Sequence, residues 1–153
     1  MTFGQIADQF LEITDNEAKA NGTSPSWVDK QRRNAALLKE ILGEGTPLRD
    51  IGYDACMRVR SLLAGIPANR NKIYDGLSVE AAITRAKADG KSLLSPVTQQ
   101  IYLTALRAIL DLAAKKRLIG FNPAANLRPL KKDTLIRDLG GWLSPRSPAE
   151  TAD

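Results

Sequence analysis

The sequence contains no histidine and a single cysteine, Cys56, among its 153 residues. A single cysteine excludes an intramolecular disulfide and a multi-cysteine metal site. Without histidine, most zinc sites are excluded, and so is catalysis that depends on an imidazole. No apolar run approaches the roughly 20 residues of a membrane span, and the first ten residues lack the pattern of a secretory signal. We therefore expect a cytoplasmic protein with no cofactor and no membrane partner.

Basic residues are abundant, and they are concentrated in the middle of the chain. Residues 1–56 hold 6 Lys/Arg and 9 Asp/Glu, residues 57–137 hold 15 and 5, and residues 138–153 hold 1 and 3. A local excess of this size attracts polyanions, of which nucleic acid is the commonest in the cytosol. The alternative is a solvated basic face that binds nothing anionic.

Helical periodicity dominates the sequence, and no segment shows the sustained alternation of a strand, so we predict an all-α protein. Helix starts are indicated by a capping box at Thr2 and Gln5 and by serines at positions 24, 78 and 95. Glycines end most of the segments. The predicted helices cover about 3–14, 25–42, 53–64, 78–89 and 96–116, with a basic loop at 68–72.

Several single residues have a structural interpretation. Trp27 and Tyr102 recur at helical spacing among apolar neighbours, so we expect them in the core. Cys56 is predicted to be a small buried apolar residue, because no histidine is available to activate it. Asn122 precedes a proline and can bond the local backbone, so the pair is predicted to set the last turn.

Residues 93–127 carry an ordered set of features. A Ser-capped helix has Thr98 near its start, continues with Leu-x-x-Leu at 103–106 and a basic end at 115–117, and closes with Asn-Pro-Ala at 122–124. This set resembles the N-terminal, core-binding domain of the phage integrases, the tyrosine recombinase family. Residues 62–70 are similar to that family's third-helix exit and basic loop, and the resemblance covers about residues 24–137.

The resemblance implies a SAM-like bundle of four to five helices with a preceding N-terminal helix. Such a domain grips one face of double-stranded DNA, and its further partners are a catalytic domain and sister protomers. The implied organisation is an N-terminal helix or arm at 1–22, the core-binding domain at 23–132, and a linker or flexible tail at 133–153, with the catalytic domain absent. Strand cleavage is not carried over, because the family's His-x-x-Arg motif is missing and the last tyrosine, Tyr102, lies inside a helix. We expect no enzyme activity and no small-molecule substrate.

The candidate DNA contacts are Lys and Arg side chains, which neutralise phosphates, and Thr and Gln side chains, which bond phosphates or base edges. Each also has a structural alternative. Cations at a helix end favour the macrodipole, Gln is a good exposed helix former, and Arg107 can pair with Asp111. The candidates are Arg58, Arg70, Lys72, Thr98, Gln99, Gln100, Arg107, Lys115, Lys116, Arg117, Lys131 and Lys132.

Other classes of protein remain possible interpretations. A helical protein–protein interaction domain with a basic face would more often show an exposed apolar groove. A helix-turn-helix regulator needs two helices joined by a short turn, whereas long loops separate the predicted third, fourth and fifth helices. A self-contained enzyme is least favoured, because we find no paired carboxylates, P-loop or metal-ligand pattern.

Overall fold

A computed structural model describes residues 1–130 of the chain, apart from the side chain of Asn71. These residues form an all-α structure, as predicted. The helices are α1 (Phe3–Asn21), α2 (Pro25–Leu42), α3 (Tyr53–Leu63), α4 (Arg70–Ile73), α5 (Val79–Asp89) and α6 (Pro96–Lys115), with a 3₁₀ turn at Leu48–Asp50. Within the described range there is no strand, only isolated bridges that join Thr2 to Pro47 and Pro67 to Leu93.

The helix ends follow the capping signals with two differences. The capping box at Thr2 and Gln5 is formed, and the hydroxyls of Ser78 and Ser95 accept from backbone N–H groups of the first turns. The Ser24 side chain does not cap α2, because its hydroxyl bonds Ser26 Oγ at 3.0 Å instead. Helix α1 runs seven residues beyond its predicted end and stops where Gly22 adopts a left-handed conformation.

Helix α6 lies at the centre of the core and contacts α1, α2 and α3. Its apolar stripe is buried because residues three and four apart share one face of a helix. Each fully buried side chain of this kind contributes about 1.5–3 kcal/mol. The largest fully buried residues of the core include Phe3, Ile6, Leu38, Val59, Leu63, Leu103, Leu106, Ile109 and Leu110.

The predictions for single core residues have different outcomes. Cys56 is buried as predicted, and burial raises the pKa of its thiol to about 11. The prediction for Trp27 is wrong, because this side chain is 43% exposed. It lies in the first turn of α2, where the neighbouring Val28 takes the buried position. Tyr102 is half-buried. Burial raises the pKa of its hydroxyl, and the positive charges of Arg70 and Arg33 offset only part of that rise.

Candidate nucleic-acid interface

The candidate residues of α6 lie at its two ends. Thr98 and Lys115 are 17 residues apart, which corresponds to about 26 Å along the axis of an α-helix. The amino-terminal end presents uncharged polar groups, and the carboxy-terminal end presents cations. Both ends can therefore contact one duplex only if α6 lies along or across it.

The carboxy-terminal end of α6 carries three exposed cations, Lys115, Lys116 and Arg117. Arg117 has a φ of 59°, a left-handed conformation that is uncommon without glycine and that turns the chain out of the helix. Lys116 Nζ donates to Gln9 Oε1 of α1. None of the three cations has a carboxylate of residues 1–130 within 4.0 Å.

Most other cations in the described part of the basic segment also have no carboxylate partner. Residues 57–130 contain twelve Lys/Arg and four Asp/Glu. Only Arg58, Arg70 and Arg85 form ion pairs with carboxylates of the described residues. The other nine cations therefore have no internal counter-charge within 4.0 Å in this part of the chain. This is the local charge excess that the sequence predicted, now located on surfaces and helix ends.

Helix α3 places two arginines at the surface of the bundle. Arg58 is half-exposed, but it donates to Ile41 O at 3.0 Å and pairs with Glu80 at 3.4 Å. Arg60, which the sequence analysis did not select, donates from Nε to Arg128 O at 2.6 Å. Arg60 therefore fixes the chain that leaves the bundle beside α3. Nothing in the sequence pattern distinguishes Arg60 from its neighbours, because its partner is 68 residues away.

The predicted basic loop is a short helix, and the Arg70 side chain, a candidate DNA contact, is held within the fold. Arg70 lies in α4, only 17% of its side chain is exposed, and it pairs with Glu40 of α2 at 2.9 Å. Glu40 also accepts from Val79 N at 3.0 Å, at the start of α5. The pair thus ties α2 to α4 and α5, which is a structural role. Lys72 of the same short helix is exposed.

The three candidate contacts at the amino-terminal end of α6 differ in their exposure. Thr98 is half-buried and its hydroxyl bonds Ser95 Oγ at 3.1 Å. Gln100 is also half-buried and donates from Nε2 to Thr104 Oγ1 at 3.2 Å. Gln99, however, is 5% exposed and donates to Leu94 O at 2.9 Å, and its Oε1 has no partner. The expectation that the Gln99 side chain is open to a base or a phosphate is therefore wrong.

The spacing of α6 could have revealed the position of Gln99. It precedes Leu103 by four residues and Leu106 by seven, so it continues the apolar stripe by one turn. A polar residue at such a position is buried with the stripe when a local acceptor is available, and the carbonyl of Leu94 supplies one.

Arg107 is half-buried and does not form the alternative ion pair with Asp111 within 4.0 Å. Asn122, rather than Arg107, bonds the Asp111 carboxylate. Its Nδ2 donates to Arg107 O at 2.9 Å and to Asp111 Oδ1 at 3.1 Å. Asn122 Oδ1 also accepts from Ala124 N at 2.9 Å. The structural role predicted for Asn122 is confirmed, and the Arg107 guanidinium has no counter-ion among residues 1–130.

An apolar groove of about 560 Å³ lies along the face of α6 that points away from the core. We call it the α6 groove. Its other walls come from α1, α2 and the segment after the last turn. Residues that line it include Phe10, Gln31, Val97, Ile101, Thr104 and Pro129. The groove adjoins Gln100, and it is the feature that a protein-interaction domain would show.

Comparison with protein-family models, with curated proteins and with solved structures finds no match to this chain. Lys131 and Lys132, the last two candidate contacts, lie outside the described residues. No helix in residues 1–130 is long and apolar enough to cross a membrane. The same range holds no cluster of three or more acidic or cysteine side chains that could bind a metal ion.

Proposed function

We propose that this chain is a double-stranded-DNA-binding module of the kind that forms the core-binding domain of a tyrosine-type recombinase. The observation that supports the proposal most is the charge of residues 57–130, in which nine of twelve cations have no carboxylate of the described residues within 4.0 Å. Unpaired surface cations are the groups that replace counterions on a phosphate backbone.

The basic end of α6 is the principal phosphate contact in this proposal. Lys115, Lys116 and Arg117 are consecutive and exposed, so each of these cations is accessible to a phosphate at this end of α6. Lys72 and Arg107 add charge elsewhere on the surface. Thr98 and Gln100 are the polar side chains available for base or phosphate contacts at the other end of α6. Gln99 and Arg70 contribute through the fold.

The proposal is for binding and does not include strand cleavage. The sequence has no histidine, so the cleavage chemistry of the family that the chain resembles is not assigned to it. The partners in the proposal are double-stranded DNA, a catalytic domain and sister protomers. The proposed location of the protein is the cytoplasm.

A titration of duplex DNA at a series of salt concentrations tests the proposal. We compare the natural chain with a variant in which Lys115, Lys116 and Arg117 are changed to Ala. Three lost phosphate contacts should reduce the slope of log K against log salt by about 2.7, because each contributes about 0.9.

The matched control changes Lys19, Lys30 and Arg32 to Ala, which removes the same net charge from α1 and α2. This control should keep the natural slope. Equal losses in the two variants would show that only net charge matters. Binding by the natural chain that is absent or insensitive to salt would contradict the proposal.

A second candidate function is a helical protein–protein interaction domain, and the α6 groove is the observation that favours it. An exposed apolar groove of this size is typical of a surface that receives a helix or an extended peptide. Salt-insensitive behaviour in the DNA titration, together with a ligand for the groove, would favour this second function.

A further inference from the structure

The outward face of α6 is apolar where an exposed helix face is normally polar. Val97 is 72% exposed and Ile101 is 49% exposed, and both line the α6 groove. Phe10 of α1 is half-buried at the same groove. Helix α6 already buries another stripe in the core, and Val97 and Ile101 lie outside that stripe and stay exposed.

The polar positions at the groove suit a peptide rather than a small apolar ligand. Gln31 and Asn34 of α2 supply side-chain amides on one wall, and each amide can both donate and accept. Thr104 of α6 also lines the groove, and its hydroxyl accepts from Gln100 Nε2 at 3.2 Å. Such groups can bond the polar backbone or side chains of a segment whose apolar residues enter the groove.

The described chain ends beside this groove. Pro129 lines it, and residues 131–153 follow immediately. The sequence of that segment places apolar residues at the spacing of one helix face, i, i+1, i+4, i+7 and i+8. These residues are Leu135, Ile136, Leu139, Trp142 and Leu143.

We propose that residues 135–143 of the same chain dock in the α6 groove. The lengths are compatible. Pro96 and Ala108 bound the groove along α6 and are about 18 Å apart on the helix axis, whereas nine helical residues span about 14 Å. The six residues from Pro129 to Leu135 can extend over about 20 Å.

Covalent connection favours this occupant over a separate protein. A short flexible connection gives a tethered segment an effective concentration on the order of 1 mM. A segment with a free Kd of about 0.1 mM would therefore be docked about 90% of the time. Gly140 and Gly141 lower the helix propensity of this sequence by about 1 kcal/mol each relative to Ala, so the proposed docked helix requires the contacts of the groove.

The two tryptophans of the chain make the docking measurable. Trp27→Phe leaves Trp142 as the only tryptophan, and Trp27 is exposed enough for this change to be tolerated. In that variant of residues 1–153, Trp142 fluorescence should be blue-shifted, and iodide should quench it about tenfold less than it quenches a free peptide of residues 131–153. Adding Val97→Asp or Ile101→Asp should restore peptide-like quenching. The control Phe121→Asp, at a residue that is 68% exposed and does not line the groove, should not.

Four results would overturn the proposal. One is a Trp142 that is quenched as readily as the free peptide. Another is protection that survives both Val97→Asp and Ile101→Asp. The third is protection that appears only at concentrations where the protein dimerises, which would assign the groove to a second copy. If a variant fails to fold, amide resonances provide the second measurement, because Trp142→Ser should shift those of Val97 and Ile101 in the otherwise natural chain. Unmoved resonances there would also overturn the proposal.

Discussion

Asn122 connects the last turn of the described chain to α6, and its replacement gives the sharpest test of the fold. The side chain makes three hydrogen bonds, two donated to Arg107 O and Asp111 Oδ1 and one accepted from Ala124 N. At about 1 kcal/mol for each net bond, reduced because the residue is only half-buried, Asn122→Ala should lower the free energy of unfolding by about 2–3 kcal/mol. Asn126→Ala is the matched control in the same turn, where the exposed side chain makes no hydrogen bond in residues 1–130.

Asn122→Asp separates the effect of charge from the effect of shape. The new carboxyl group keeps the acceptor for Ala124 N but loses both donors, and it stands about 3 Å from the Asp111 carboxylate. Its pKa should be raised above the unfolded value of about 3.9. Its interactions are therefore complete below about pH 4 and are lost as the pH rises through the raised pKa.

Denaturant unfolding followed by circular dichroism measures both effects. At neutral pH, Asn122→Asp should be less stable than Asn122→Ala by about 1 kcal/mol, from the added repulsion at the surface. This difference should shrink near pH 3, where a protonated carboxyl can again donate. A variant Asn122→Asp that is as stable as the natural chain at neutral pH would refute the reasoning.

Three further predictions use the same unfolding assay, and the second of them also uses the DNA titration. Gly4→Ala should cost at least about 2 kcal/mol, because the added Cβ would lie 2.9 Å from Glu44 O, whereas Gly45→Ala meets open space and should have little effect. Gln99→Ala should cost about 2 kcal/mol and leave DNA affinity per folded molecule unchanged, whereas Gln100→Ala should weaken DNA binding several-fold with little loss of stability; the reverse pattern would contradict their assignment. The pKa of the Cys56 thiol is raised to about 11, so its contribution is complete below about pH 8.5 and is lost as the pH rises toward 11, up to ~3 kcal/mol. Cys56→Ala should lack that part of the alkaline decline, and a decline of equal size in this variant would rule out the thiol as its cause.

The helices could be predicted because their signals are local. A capping box, serine caps and left-handed glycines act within one turn of the chain, and they place most helix ends within a residue or two. Helix α4 could not be found in this way. It has only four residues, it begins after Asn69 in a left-handed conformation, and Arg70 is paired with Glu40, 30 residues earlier.

The candidate site was less predictable, because exposure depends on packing. Trp27 and Gln99 show the two kinds of error, since an aromatic residue in a first turn is left at the surface and a glutamine on the apolar stripe is buried. The α6 groove could not be foreseen either. Phe10, Val97 and Pro129 belong to distant parts of the sequence, and only the packing of the folded chain puts them around one space.

The DNA-binding proposal and the docking proposal both involve α6, and together they predict which of its contacts can form at the same time. A docked segment 135–143 would cover Gln100 and Thr104 at the groove, but the cations from Lys115 to Arg117 lie about 26 Å from Thr98 along the helix and would stay accessible. Phosphate contacts and docking can therefore coexist, whereas contacts by Gln100 and docking exclude each other. Because coupling between two binding events is reciprocal, any DNA sequence that engages Gln100 must also release the segment. The groove would then oppose close contact with DNA at one end of α6 while leaving salt-dependent contact at the other end unchanged.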